Sequence, residues 1–344
     1  MKLNRRNFIT AAGLACLPIP LLGAESKQTN EKKRDLTILK PSALKLGDTI
    51  AITSPAGAVW DDMQIEKFVS ILQSFGFKTK LGQTLKEKYG YFAGTDEFRA
   101  KELNDFFLDK EVDGIFSMKG GWGCARILDK INYSSIQNNP KVLMGFSDIT
   151  SLLVAITAKT GLVTFHGPVG NSGWNDFTSA YFTSVLMKKE LAMFSYPDSD
   201  ADPHYTINSG KTEGVLIGGN LTVLAGIIGS DYLPSWENKI LFLEETSEEP
   251  YRIDRMLTQL KLAGVLNTIK GFVFGKCVKC DAEEPEKAFT LKQVLEQHLK
   301  PLEIPAFYGA MIGHIENKYT LPIGIKAGID ADKGTIKLLE SAVV

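Results

Sequence analysis

The chain has 344 residues, of which 44% are hydrophobic and 23% charged, a balance that excludes a disordered or fibrous protein and describes a soluble globular one. At the usual ~100–200 residues per domain, the length suits two domains rather than one core. With 39 basic against 40 acidic residues and no long basic stripe, a nucleic-acid partner is excluded, because such binding rests on phosphate neutralisation.

The amino terminus reads as a targeting signal. Arg5-Arg6-Asn7-Phe8-Ile9 sets paired arginines before an apolar run that reaches about Gly23, with small residues at Gly23-Ala24 for cleavage. Paired arginines followed by Phe are similar to the signal of the Tat pathway, which exports folded proteins. Pro18 and Pro20 interrupt the run, which falls short of the ~20 residues a spanning helix needs. The expectation is therefore a cleaved Tat-type signal over 1–24, a periplasmic protein and no stable membrane anchor. Gly13-Leu14-Ala15 before Cys16 makes a poor lipidation site. Residues 25–40, polar at their start, read as a flexible spacer.

Short apolar runs then alternate with amphipathic stretches. Thr49-Ile50-Ala51-Ile52-Thr53 is a strand closed by the turn residues Ser54-Pro55-Ala56-Gly57. Ile65, Phe68, Val69 and Leu72 recur at helical spacing over 61–75. A second helix follows the Thr95-Asp96 cap, with Phe98, Leu103, Phe106 and Phe107 expected on its inner face. Strands over 113–118, 142–146 and 163–166 alternate with helices over 125–131 and 148–159. That alternation predicts a mainly parallel sheet covered by helices, with ligands at the carboxyl ends of its strands. The turn-rich stretch 189–211 reads as a linker, between a domain over 41–188 and a second α/β domain over 212–344. In the latter, strands are expected over 240–243, 271–274 and 335–339, and helices over 251–262 and 290–298.

Three segments can carry chemistry. In Met144-Gly145-Phe146-Ser147-Asp148-Ile149-Thr150 a strand runs through Gly-x-Ser into a helix, a turn that exposes a serine beside a free backbone N–H. Ile149 stands where the familiar elbow has its second glycine. On spacing alone the stronger reading of Ser147 is a helix cap, since capping serines vastly outnumber catalytic ones. Met118-Lys119-Gly120-Gly121-Trp122-Gly123 lets the backbone approach a ligand closely, or is a plain tight turn; without Gly-Lys-Ser/Thr it is no P-loop. In the second domain, Leu243-Glu244-Glu245 ends an apolar strand and Gly313-His314 places one of four histidines beside a glycine. Ser, Glu and His in that order match the order in α/β-hydrolases, although singly Glu244 and His314 have dull readings as a surface acid and a loop histidine. His204, in the linker, and His298, on a polar helix, are poorer bases. The histidines are too scattered for a metal site. Cys277-Val278-Lys279-Cys280, one Cys-x-x-Cys without further ligands, reads as a local loop disulfide.

Together and in this order the segments resemble the LD-carboxypeptidase (muramoyltetrapeptide carboxypeptidase) family of serine peptidases. The resemblance runs from about Leu46 to Asp332 and adds Ala93-Gly94-Thr95-Asp96 with Arg99, Thr164-Phe165-His166-Gly167-Pro168, Gly218-Gly219-Asn220-Leu221, Pro250-Tyr251-Arg252 and Leu321-Pro322-Ile323-Gly324. It reverses the reading of Ser147. It implies a Rossmann-like N-terminal domain, a swivelling-type mixed α/β C-terminal domain, and a triad of Ser147, Glu244 and His314 split between them. Gly120, Gly121 and Asp148 are implied at the oxyanion, Lys119 and Asn220 at the substrate. The implied substrate is a murein tetrapeptide that loses its terminal D-alanine, with no metal or cofactor; a homodimer is the candidate assembly. Where the family usually has arginine before the glycine turn this chain has Lys119, which keeps the charge without the bidentate fork. Two alternatives stand beside this: a peptidase resembling those of microcin C immunity, which would need an aromatic such as Trp122, Trp174 or Trp236 near the site, and a muropeptide-binding protein without catalysis.

Overall fold

The computed structural model describes residues 36–196 and 204–344. The expected signal over 1–24, most of the spacer and the middle of the expected linker lie outside the described residues. The first sheet takes β1 (Thr49–Thr53), β2 (Lys78–Leu81), β3 (Gly114–Ser117), β4 (Val142–Gly145) and β5 (Thr164–His166), all parallel, in the order β2-β1-β3-β4-β5. Helices α1 (Asp62–Ser74), α2 (Asp96–Leu108), α3 (Tyr133–Asn138), α4 (Thr150–Thr160) and α5 (Asp176–Leu186) intervene. β1, β3 and β4 are buried almost throughout, as strands covered on both faces must be. Strand order reverses between β1 and β3, so their carboxyl ends frame a crevice.

The second sheet takes β6 (Met193–Phe194), β7 (Tyr205–Asn208), β8 (Lys211–Asn220), β9 (Lys239–Glu244), β10 (Gly271–Gly275), β11 (Ala306–Ala310), β13 (Lys326–Asp330) and β14 (Thr335–Leu338). β8 to β11 are parallel, and antiparallel strands flank them on both sides. Helices α6 (Leu221–Ile227), α7 (Pro250–Leu262) and α8 (Leu291–Leu299) belong to this half. α8 begins on a full capping box between Thr290 and Gln293. β12 (Leu321–Ile323) leaves this half and pairs antiparallel with β5 of the first sheet, Leu321 opposite His166.

Several expectations need correction. The segment 189–211 supplies β6 and β7, which cover opposite edges of the second sheet and so satisfy backbone groups that an edge leaves open. At the end of the expected spacer, Leu39 exchanges backbone hydrogen bonds with Gly161 and Val163. Residues Cys124–Lys130 form a 3-10 helix rather than an α-helix. α4 starts later than its sequence pattern because Ser147–Ile149 makes a 3-10 turn first. β2, α3, α5, β8, α6, β11, β12 and β13 are not among the expected elements; the Lys-Thr-Lys-Leu edge of β2, for one, carries almost no apolar signal.

α2 holds the least expected inward residue. Thr95 caps it, and Leu103, Phe106 and Phe107 face inward, but Phe98 is 36% exposed and Arg99 is wholly buried. Arg99 lies inside because acceptors meet its donors: the carbonyls of Pro55, Gly94 and Gly123 and the carboxylate of Asp96. It thereby ties the turn after β1 to the glycine turn after β3. Replacing Arg99 by Met strands the buried carbonyls of Pro55 and Gly94, while that of Gly123 keeps the Arg126 N–H, and the expected loss, read from urea unfolding, is roughly 3–5 kcal/mol.

Candidate active site

The carboxyl ends of both sheets meet at one cleft. β4 ends at Gly145, and Phe146 leads in extended conformation into Ser147, whose φ is +62°. A non-glycine residue in that region is strained, and such strain clusters at functional sites. Phe146, not Ser147, is the capping position of the turn, with no side-chain cap bond, so the capping reading fails. The Ser147 Oγ lies 3.2 Å from His314 Nε2, and His314 Nδ1 lies 2.8 Å from Glu244 Oε2. With Glu244 ionised the ring proton belongs on Nδ1, which leaves Nε2 to accept from the serine.

Each member arrives from a different element. Ser147 follows β4, Glu244 ends β9 and His314 sits in the loop between β11 and β12. Glu244 is fully buried, and the His314 side chain is 25% exposed. Gly313 makes the meeting possible: its φ is +97°, and a Cβ there would lie 2.3 Å from Glu244 Oε2. The Phe146 ring packs edge-on against His314 at 4.9 Å between centroids.

The glycine turn closes the other side. Gly57 N–H donates to the Gly120 carbonyl at 3.2 Å. A Cβ at Gly120 would stand 2.8 Å from Ser147 Cβ, 3.0 Å from its Oγ and 3.3 Å from Asp148 N, so only glycine lets this backbone lie beside the serine. The carboxylate of Asp148 points elsewhere, accepting from Cys124 N–H at 2.8 Å; burial pushes this carboxyl, and the Cys124 thiol, up. The Lys119 ammonium donates to the Ala58 carbonyl, and Lys119 is not among the residues lining the cavity.

Asn220 ends β8 in register with Glu244. Its side chain caps α6 by accepting from Val223 N–H and donates to Glu245, while its own N–H donates to Thr150 Oγ1 across to α4. Glu245 also accepts from Thr222 N–H and hydroxyl and from Thr246 N–H; burial pushes its carboxyl up. The resulting cavity, about 200 Å³, is lined by Ser147, His314, Gly121 and Trp122 on one part and by Thr222, Val223 and Glu248 on another. Sequence motifs did not include Thr222, Val223 or Glu248, which stand at no turn, cap or nucleophile pattern. His166, inside a motif but without a role, is buried beneath Phe146, and burial holds its imidazole down to about 4. Of the other expected residues, His298 bonds Asp254, His204 contacts the Asp332 carbonyl, and Cys277 and Cys280 are disulfide-bonded. Trp174 packs among Phe68, Phe75 and Phe182, and Trp236 packs against the core.

This constellation can run acyl transfer: a hydroxyl, a base, an orienting carboxylate and backbone N–H groups at one point. Models of the LD-carboxypeptidase N-terminal and C-terminal domains match residues 50–167 and 213–329. The chain belongs to the LD-carboxypeptidase family. It is 37% identical to the Bacillus subtilis protein named "Probable murein peptide carboxypeptidase", over 86% of this chain and 93% of that one. A solved structure of MccF, the Escherichia coli microcin C7 self-immunity protein, in complex with glutamyl sulfamoyl guanosine superposes with a TM-score of 0.81 at 30% identity, covering 89% of this chain and all of that one. The muramoyltetrapeptide carboxypeptidase from Oxalobacter formigenes gives 0.72 at 27% identity, covering 84% and 97%. The two-sheet α/β fold and carboxypeptidase class thus have independent support.

Gly313→Ala should separate geometry from composition in this LD-carboxypeptidase site. The added Cβ displaces Glu244 and hence His314, and kcat is expected to fall on the order of 100-fold. The left-handed backbone adds about 1–2 kcal/mol of destabilisation. Turnover and melting measurements on the variant check both, and an unchanged kcat would detach Gly313 from the site.

Proposed function

We propose that the protein is a serine carboxypeptidase that releases the terminal D-alanine of murein tetrapeptides. The observation that carries the reading is the Ser147–His314–Glu244 hydrogen-bond chain at the floor of a small cleft. His314 Nε2 takes the hydroxyl proton as Ser147 Oγ attacks the carbonyl of the third residue. Glu244 holds the imidazole by its Nδ1–H and stabilises the imidazolium. The N–H of Asp148 and those of Gly120 or Gly121 face the developing oxyanion, worth about 3–4 kcal/mol per donor in comparable sites. Imidazolium then protonates the departing D-alanine nitrogen, the C–N bond breaks, and water activated by His314 hydrolyses the ester to restore Ser147. The lining residues include no Lys or Arg, so the free carboxylate of the substrate is left to backbone N–H groups of the glycine turn.

A second reading has one observation in its favour. Trp122 is half exposed in the cavity wall, where its ring would stack on a planar base, and MccF is a structural neighbour solved with a sulfamoyl guanosine. Incubation with disaccharide tetrapeptide and, separately, with an aminoacyl sulfamoyl nucleoside decides between them: free D-alanine by mass spectrometry is expected from the first, and exclusive cleavage of the second would reverse the assignment. All-L peptides are expected to remain intact.

Ser147→Ala should lower kcat by roughly 10⁴–10⁶-fold while leaving folding unchanged, and adding Glu244→Ala and His314→Ala should cost little more, since the three act as a unit. Near-normal turnover in Ser147→Ala would overturn the mechanism.

The reading includes export. Arg5-Arg6 followed by an apolar run supports transport by the twin-arginine route, which makes envelope murein the substrate pool. Changing both arginines to lysine should leave the precursor in the cytoplasm; normal periplasmic protein from that variant, seen by fractionation and blotting, would reject the route.

A further inference from the structure

Around Glu244 lie two buried titratable groups, Lys318 and His166, that the mechanism above does not use. Glu244 is fully buried: one oxygen accepts from His314, and the other has no hydrogen-bond partner among the described residues. A carboxylate so enclosed is costly to ionise without a counter-charge. If it took up a proton, it would no longer hold the imidazole proton on Nδ1, and Nε2 would lose its fixed role as acceptor. His314 cannot itself be that counter-charge, because a base must be neutral before it accepts the serine proton. His166, on β5, is also unsuited: burial holds its imidazole at about 4, so it is neutral at working pH.

Lys318 remains. It lies on the His314 loop and is 5% exposed. Its ammonium sits 5.4 Å from the centroid of the Phe146 ring, and that ring packs at 4.9 Å against His314. We propose that Lys318 is the buried counter-charge of the Glu244–His314 pair, a positioning residue that keeps Glu244 ionised and so keeps His314 ready to accept from Ser147. The groups that face it are Glu244 from β9, Glu316 from its own loop and His166 from β5, with His314 reached through the Phe146 ring. Burial pushes the ammonium down to about 8, and Glu244 is the strongest attraction opposing that, ahead of Glu316. His166 feels three of these groups: it is drawn by Glu244 and repelled by both His314 and Lys318.

The role rests on the serine mechanism proposed above, and its sign is fixed by charge. Removing a cation makes the Glu244–His314 pair hold its protons more tightly, so the acid limb of the kcat/KM profile must move to higher pH. In the unaltered enzyme, activity should fall above about pH 8 as Lys318 deprotonates. Arginine at 318 stays charged, so its alkaline limb should move beyond about pH 10 while its acid limb stays in place.

The experiment measures kcat, KM and their pH profiles for the wild type, K318M and K318R, with melting temperatures as a check on folding. In K318M, kcat/KM at pH 7 is expected to fall about 10–100-fold with KM little changed, the acid limb to rise by about one pH unit, and the alkaline limb to vanish. A folded K318M with the wild-type acid limb overturns the proposal. So does a wild-type profile without an alkaline limb below about pH 9, a result that needs no variant to fold. Ser147→Ala, run alongside, separates the two claims. Turnover in that variant removes the serine mechanism, whereas an inactive Ser147→Ala with an unaltered K318M profile removes only the role of Lys318.

Discussion

The loop that carries His314 is tethered to two different sheets. It leaves β11 of the second sheet at Ala310 and enters the first sheet at Leu321, opposite His166 of β5. Within it, Tyr319 N–H closes back on the Met311 carbonyl. β12 thus fixes the histidine relative to β5 and β4, hence to Ser147, while β11 fixes it relative to β9, hence to Glu244. No member of the chain can shift without disturbing a ladder of backbone hydrogen bonds, which is what holds a site within a few tenths of an ångström. Asn220, donating its N–H to Thr150, is a second stitch between the sheets, next to the first.

Close backbone approach is the other device. The glycine turn lies against Ser147 with no room for a side chain, and Arg99 ties it from beneath to the turn after β1. A buried guanidinium is tolerated there because carbonyls and Asp96 meet its donors. It leaves the turn's N–H groups aimed by rigid backbone rather than by flexible side chains. The strained φ of Ser147 belongs to the same arrangement: surrounding contacts over-determine a conformation that an isolated chain would leave.

Charge placement follows burial. Glu245, beside Glu244, spends its oxygens on Asn220, Thr222 and Thr246 and so organises the wall of the cavity, whereas Glu244 keeps a single bond, to the histidine. Two adjacent acids at the end of one strand therefore have different work, because successive side chains point to opposite sides. Lys119, which the resemblance implies at the substrate, is likewise committed, to the Ala58 carbonyl, and so ties the glycine turn to the segment after β1.

By itself the sequence determined the alternation of buried strands and capped helices, the strand-to-helix serine at Ser147, the glycine turn and the carboxyl-terminal acid of β9, because period, caps and turn chemistry are local. Spacing could not choose between a capping and a reactive Ser147; the ordered set of family motifs implies the reactive one, and the structure adds a serine outside the capping position, at positive φ and bonded to His314. Tertiary structure alone decided what long-range pairing decides: that 321–323 crosses to the first sheet, that the expected linker edges the second, and that Arg99 rather than Phe98 faces inward. It also decided which polar residues share a low-dielectric interior. Lys318 stands in a stretch with no mark of burial, and only the fold brings it, His166 and Glu244 behind one imidazole, since electrostatic neighbours are set by distance in space and not along the chain.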